Sequence, residues 1–285
     1  MREPGLVVAP GVFDLISGRI ADAKGFDALY MTGYGVCASQ LGLPDAGLAT
    51  LSEMAQSVTR LSDCCATPLI ADADTGYGGL LNVRHTVRAY ERAGAAAIQI
   101  EDQVFPKKCG HTPGREVIPL DEMIDKVRVA VDTRHDGNFL LIARTDARTK
   151  HGLAAAIDRG AAFAEAGADI VFVESPESEA EMAEICRQID APTLANMVEG
   201  GRTPVLPKSM LESLGFRLAI FPSVGFLAIG RVLDAVYSQM SDRGSSSDID
   251  VPLARFSDFN TLVGFEDVWD FDARWSRPAK EISRS

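Results

Sequence analysis

Apolar runs without polar alternation recur along the chain, at 6–10, 28–32, 69–73, 97–101, 140–145, 169–174, 193–196 and 218–221. A strand that is apolar on both faces is covered on both faces, which predicts a parallel sheet. Between the runs lie amphipathic segments at 15–24, 53–64, 83–93, 121–134, 153–166, 179–189 and 208–214. Their apolar positions recur with helical spacing. Several of them end on a glycine, as at Lys24-Gly25, Ala93-Gly94, Ala166-Gly167 and Leu214-Gly215. A glycine there suits the residue just past a helix end, and the next strand starts a few residues on. Eight such strand–helix units predict an α/β fold closed as a (β/α)8 TIM-type barrel rather than an open sheet.

The pattern changes at 243–250, Arg-Gly-Ser-Ser-Ser-Asp-Ile-Asp, the one low-complexity stretch. We therefore expect a catalytic barrel over 1–242 and a helical tail over 243–285. The tail carries Phe256, Phe259, Phe265, Trp269, Phe271 and Trp275. It is too apolar to be left in water and is expected to pack on the barrel or on a neighbouring subunit.

Composition narrows the partners. The 285 residues are 46% hydrophobic and 24% charged, as in ordinary soluble globular proteins. A net charge of −12 argues against nucleic acid and anionic membranes. It leaves room for a small anionic substrate, because a local cation or a metal reverses the sign where it matters. No apolar run reaches the roughly 20 residues of a membrane span, and the first residues lack a signal core. Five cysteines, at 37, 64, 65, 109 and 186, are an odd number in no framework spacing. A reduced, cytoplasmic setting is expected.

The chemistry gathers at strand ends. In a barrel of this type the active site lies at the C-terminal rim. Six strands end there in polar groups: Tyr30 to Gly35, Asp72 with Asp74, Glu101, Arg144, Glu174 and Asn196. Clustered carboxylates, with water as the remaining ligand, suit Mg²⁺ or Mn²⁺ rather than zinc. An arginine fork beside hard oxygen ligands is what a 2-oxo or 2-hydroxy carboxylate needs. Lys107-Lys108-Cys109-Gly110-His111 places a thiol among cations that would favour its thiolate. The plainer reading is an inert loop thiol beside a solvated basic face. His85, His135 and His151 read as exposed, and no phosphate loop, dinucleotide fingerprint or nucleophile elbow is present.

Taken in order, the motifs Met31-Thr32-Gly33-Tyr34-Gly35, Leu41-Gly42-Leu43-Pro44-Asp45, Asp72-Ala73-Asp74-Thr75-Gly76-Tyr77-Gly78, Glu101-Asp102-Gln103, Lys107-Lys108-Cys109-Gly110-His111, Ile142-Ala143-Arg144-Thr145-Asp146-Ala147 and Ala195-Asn196-Met197-Val198-Glu199-Gly200-Gly201 resemble the isocitrate lyase/phosphoenolpyruvate mutase superfamily. The resemblance runs from about Val8 to Gly264. It implies a barrel whose eighth helix is swapped between subunits, in a homotetramer built as a dimer of dimers. It also implies Mg²⁺ held near Asp74, with Asp72 and Glu101 acting largely through bound water. Arg144 and the turn containing Thr32, Gly33 and Tyr34 would hold the 2-oxo acid part of the substrate, with Gly110, Glu174 and Asn196 beside it. The 107–117 loop would be a mobile lid carrying Cys109 as the proton donor. Lys107 and His111 would charge the site, and either Asp45 or Tyr30 would take the substrate hydroxyl proton.

The intact Lys-Lys-Cys-Gly-His sequence resembles the carbon–carbon lyase branch. Glu199-Gly200-Gly201 resembles lyases of substituted malates, such as 2,3-dimethylmalate. Methylisocitrate lyases carry Glu-Phe-Gly there and an arginine at about Leu227. A 2-methylisocitrate lyase and a phosphonomutase acting on a carboxyphosphonate are the alternatives.

Overall fold

The computed structural model describes residues 5–110 and 114–276. Strands and helices alternate: β1 (Val7–Val12), α1 (Leu15–Asp22), β2 (Leu29–Met31), α2 (Gly33–Val36), α3 (Leu51–Cys64), β3 (Leu69–Asp72), α4 (Leu80–Arg92), β4 (Ala97–Glu101) and α5 (Leu120–Thr133). They continue with β5 (Leu140–Thr145), α6 (Arg148–Glu165), β6 (Ile170–Val173), α7 (Glu179–Gln188), β7 (Thr193–Asn196), α8 (Lys208–Leu214), β8 (Leu218–Phe221) and α9 (Val224–Arg243). Every strand pairs in parallel with its neighbours. β1 meets both β2, with Gly11 opposite Tyr30, and β8, with Val7 opposite Leu218. The eight strands thus close into the expected barrel.

Side chains alternate across each strand, so each strand feeds two cores. Tyr30, Ile70, Ile142, Phe172, Leu194 and Ile220 point into the barrel. Leu29, Met31, Ile98, Ile100 and Leu141 point outward and meet the helices. Some helix starts are set by side chains that satisfy free backbone N–H groups. Asp14 with Ser17 and Thr50 with Glu53 each form a reciprocal capping box, worth about 1 kcal/mol per cap. Gly215 ends α8 at φ 105°, a conformation costly for any residue with a Cβ.

The structure departs from the sequence pattern at several helix starts. α4 begins at Leu80 rather than at residue 83; Leu81 is 78% exposed, so the apolar stripe did not reveal this first turn. α6 begins at Arg148, five residues early, and carries a non-helical break at Gly152. A π-helical turn over Cys37–Leu41, continuing α2, has no counterpart in the sequence reading.

The chain divides into two compact units, Met1–Gly230 and Arg231–Ser285. The dividing point falls inside α9, none of whose residues is buried. The second unit contains α10 (Phe256–Leu262) and α11 (Phe265–Trp275). Phe256, Trp269, Phe271 and Trp275 are exposed in the single chain. Among the described residues no helix is long and apolar enough to cross a membrane.

Candidate active site

The C-terminal ends of β3 and β4 deliver buried carboxylates. Asp72 ends β3, and its Oδ1 accepts the backbone N–H of Asp74 at 3.1 Å. Asp74 and Tyr77 both take positive φ, 48° and 59°, so this turn is sharply bent. Its shape is held from behind. The Tyr90 hydroxyl donates to the Asp72 carbonyl at 2.9 Å, and Tyr77 Oη lies 2.9 Å from Tyr90 Oη. The turn after β2 lies directly against Asp72: a Cβ on Gly33 would come within 2.5 Å of Asp72 Oδ2. Glycine is therefore required at 33 for backbone and carboxylate to approach this closely.

Lys107 enters this acidic cluster. Its Nζ lies 2.7 Å from Asp74 Oδ1 and forms a second ion pair with Asp45. Lys108 Nζ instead donates to the Gly114 carbonyl at 2.8 Å. The sequence assigned both ammonium groups to Cys109. Lys107 is committed to the carboxylates, because desolvated acids attract a buried cation more strongly than a half-exposed thiol does. Gln103 fixes the base of this loop: its amide donates to the Lys108 carbonyl at 2.8 Å and its Oε1 accepts the Lys108 N–H at 3.0 Å.

Arg144, at the end of β5, is the second fixed cation. Its Nε and Nη2 donate to the two oxygens of Asp146 at 2.8 and 2.9 Å. Its guanidinium also lies 3.3 Å from Glu101 Oε2 and from Glu174 Oε2, and 5.1 Å from the Phe172 ring centroid. Asn196 Nδ2 donates to Glu174 Oε2 at 3.0 Å. Gly110 sits over this pair, where a Cβ would come 2.5 Å from Arg144 Nη2 and 2.8 Å from Glu174 Oε2.

Burial sets the protonation states. It pushes Asp74 up to about 6, against the pull of Lys107, and raises Asp72. Burial also drives Glu101 well above the usual carboxylate range, with Arg144 opposing. Burial alone would lower Lys107, but Asp74, Asp45 and Asp72 hold its ammonium well above its ordinary value. Burial keeps the Tyr30 phenol protonated, and the hydroxyl donates to Gln99 Oε1 at 3.1 Å.

A cavity of about 240 Å³ opens over these groups. Of the residues singled out from sequence, Tyr30, Thr32, Tyr34, Asp45, Asp72, Glu101, Lys107, Cys109, Gly110, Arg144, Glu174 and Asn196 line it. Gly33 and Asp74 stand one layer behind, against Asp72 and Lys107. His111 lies outside the described residues. The remaining lining includes the apolar Val198, Ile220, Pro222, Phe226 and Leu227, the glycines 200 and 201, and the polar Glu199 and Ser223. Tyr34 stacks on Phe226 with ring centroids 5.0 Å apart.

Sequence reasoning missed Arg115. It is buried, and its Nη1 donates to Asp146 Oδ1 at 2.5 Å, so two guanidiniums share one carboxylate. Burial opposes ionisation of Asp146, yet Arg144 and Arg115 hold it below the usual range. Arg115 Nη2 further donates to Thr149 at 2.6 Å and Ser175 at 3.3 Å. A partner 31 positions away leaves no local signal; the only hint was Asp146 in the Arg-Thr-Asp strand end. Ser223, which donates to Glu199 Oε2 at 2.6 Å on the cavity wall, was missed as well.

The phosphoenolpyruvate phosphomutase family profile matches residues 1–240. The chain belongs to the PEP mutase/isocitrate lyase superfamily. It is 46% identical to the 2,3-dimethylmalate lyase of Eubacterium barkeri over 271 residues, covering 95% of this chain and 94% of that protein. It is 43% identical to a 2-methylisocitrate lyase of Aeropyrum pernix over 282 residues, covering 99% and 91%. Among solved superfamily structures, a crystal structure of 2,3-dimethylmalate lyase superposes with a TM-score of 0.90 at 35% identity, covering 97% of this chain and 93% of that one. Phosphonopyruvate hydrolase in complex with oxalate and Mg²⁺ superposes with a TM-score of 0.86 at 26% identity, covering 95% of each chain.

Proposed function

We propose that this protein is a divalent-metal-dependent lyase that cleaves the C2–C3 bond of a substituted malate of the 2,3-dimethylmalate type. The observation that carries the proposal is the division of the cavity. Among the described residues lining it, the cations are Lys107, Lys108 and Arg144, while the wall at Pro222, Phe226 and Leu227 is apolar. A third carboxylate against that wall would lack a partner and cost several kcal/mol to desolvate. Methyl groups suit it, and Gly200-Gly201 leave the space open.

The residues fit a hard divalent cation. Asp45, Asp72, Asp74 and Glu101 bring four acids around one ammonium, Lys107. Glu101 Oε1 is buried with no hydrogen-bond partner. Among the described residues no three His, Cys, Asp or Glu groups converge to enclose a metal ion. This suits Mg²⁺, which keeps several waters and uses few protein carboxylates. Mn²⁺ has the same ligand preference. The similar hydrolase holds Mg²⁺ with oxalate, a small dicarboxylate. Asp74 would hold the ion, with Asp72 and Glu101 acting largely through bound water, and the ion would supply Lewis-acid stabilisation of negative charge developing on oxygen.

The chain supplies the proton transfers and the positioning. Arg144, held by Asp146, orients the 2-hydroxy carboxylate with Thr32 and Tyr34, while Gly33 lets the turn lie against Asp72. Of the two candidates for taking the hydroxyl proton, Asp45 fits better. Tyr30 keeps its proton and donates it to Gln99, so it serves as a polar positioning group. Breaking the C2–C3 bond leaves pyruvate and the enolate of propionate when the substrate is 2,3-dimethylmalate. Cys109 then gives its proton to the carbanion carbon. Lys107 charges the site, and Glu174 and Asn196 shape the floor under Gly110. We further propose that the apolar surfaces of α9 and α11 are covered by other copies of the chain in a homotetramer.

The test is to incubate the protein and Mg²⁺ with 2,3-dimethylmalate in D2O. Equal amounts of pyruvate and of propionate carrying one deuterium at C2 are expected; no cleavage would overturn the proposal. Two further outcomes follow. Leu227→Arg should raise kcat/KM for 2-methylisocitrate by about 10-fold or more, the effect of giving a buried carboxylate its cation. Asp146→Asn should lower kcat/KM about 10²-fold by releasing Arg144 from its fixed geometry. Steady-state kinetics checks both.

A further inference from the structure

We propose that Cys64 and Cys65 form a vicinal dithiol site that captures a trivalent arsenical through both sulfurs. Neighbouring residues in a helix point in different directions and do not face each other. Here they do face each other, because α3 ends between them. Cys64 is its last helical residue, and Cys65 is its C-cap with extended φ −122° and ψ 135°. That change of backbone turns the second sulfur back on the first, and the Sγ atoms lie 3.4 Å apart. Both residues are half-buried, so the pair is reachable from solvent. Gly18 of α1 makes room for it: a Cβ there would stand 3.1 Å from Cys65 Sγ.

The spacing selects the class of ligand. A linear two-coordinate cation would hold its sulfurs on opposite sides, much further apart. Tetrahedral zinc, with Zn–S of about 2.3 Å, would spread them to roughly 3.8 Å and would need two more ligands. No group of three His, Cys, Asp or Glu suited to a metal occurs among the described residues. A pyramidal trivalent centre holds two sulfurs side by side, close to the separation found. The reaction needs no oxidant. An arsenical R–As=O and two thiols give R–As(S-Cys)2 and one water; two As–S bonds form, and the two thiol protons leave with the oxygen. Burial and the neighbouring Cys64 push the Cys65 thiol up to about 12, which slows peroxide oxidation, since that requires a thiolate.

The experiment is titration of the reduced full-length protein with phenylarsine oxide, read by intact mass and peptide mapping. One phenylarsenic per chain is expected on the peptide containing Cys64 and Cys65, with loss of one water. It should survive washing with a monothiol and be removed by a dithiol. Cys64→Ser and Cys65→Ser should each weaken retention about 10²-fold, the advantage lost when two-point attachment becomes one-point. Cys109→Ser should bind as the native chain does. Equal retention by the Cys64→Ser chain, or an adduct mapping to Cys37, Cys109 or Cys186, would overturn the proposal.

Discussion

Replacing Cys109 with serine should lower turnover on the true substrate by roughly 10²–10⁴-fold, the usual contribution of a positioned general acid. Serine is nearly isosteric, and Cys109 is half-buried at the cavity wall, so the fold should be unchanged. A hydroxyl is a far weaker acid than a thiol and cannot supply the proton at neutral pH. Binding should survive, because Arg144, Asn196 and the carboxylates are untouched. The informative result is therefore a split: near-normal affinity for pyruvate and the product acid, measured by calorimetry, with turnover lost. Turnover within a few-fold of the native protein would return Cys109 to a structural loop residue.

Asp74→Ala should abolish metal-dependent activity, with metal affinity reduced at least ~10²-fold. In the native chain, saturating Mg²⁺ should stabilise the fold, by about 2.7 kcal/mol when the ion is present at 100 times its Kd. The variant should lose that shift. It should still fold, because Lys107 keeps Asp45 as a partner. The pH dependence has a definite sign. Burial holds Asp74 up to about 6, above its unfolded value, so the folded state binds the proton more tightly. The carboxylate form that a cation needs is present above that value and lost below it. Mg²⁺-induced stabilisation, followed by thermal melts, should therefore shrink as pH falls through about 6. A shift that stays constant from pH 7 to pH 5 would contradict this.

The barrel was legible because its strands are apolar on both faces and several of its helices end on glycine. Both features are local, so they survive in one dimension. The rim was legible for a similar reason, since Asp72, Glu101 and Asn196 each end a strand and Arg144 stands one residue before the end of β5. What escaped was pairing at a distance. Arg115 with Asp146, and Lys107 with Asp45 and Asp74, join residues from separate loops. Tyr30 and Asp45 were equivalent on paper as proton acceptors; only the burial of Tyr30 against Gln99 separates them. Helix starts without an apolar stripe, as at Leu81, were also silent.

The most direct test of the account is a comparison of kcat/KM for 2,3-dimethylmalate and 2-methylisocitrate under the same Mg²⁺ conditions. The apolar residues Phe226 and Leu227, with no arginine beside them among the described residues of that wall, predict a clear preference for the dimethylmalate. Preference for the tricarboxylate, or turnover of a carboxyphosphonate with neither malate cleaved, would contradict it.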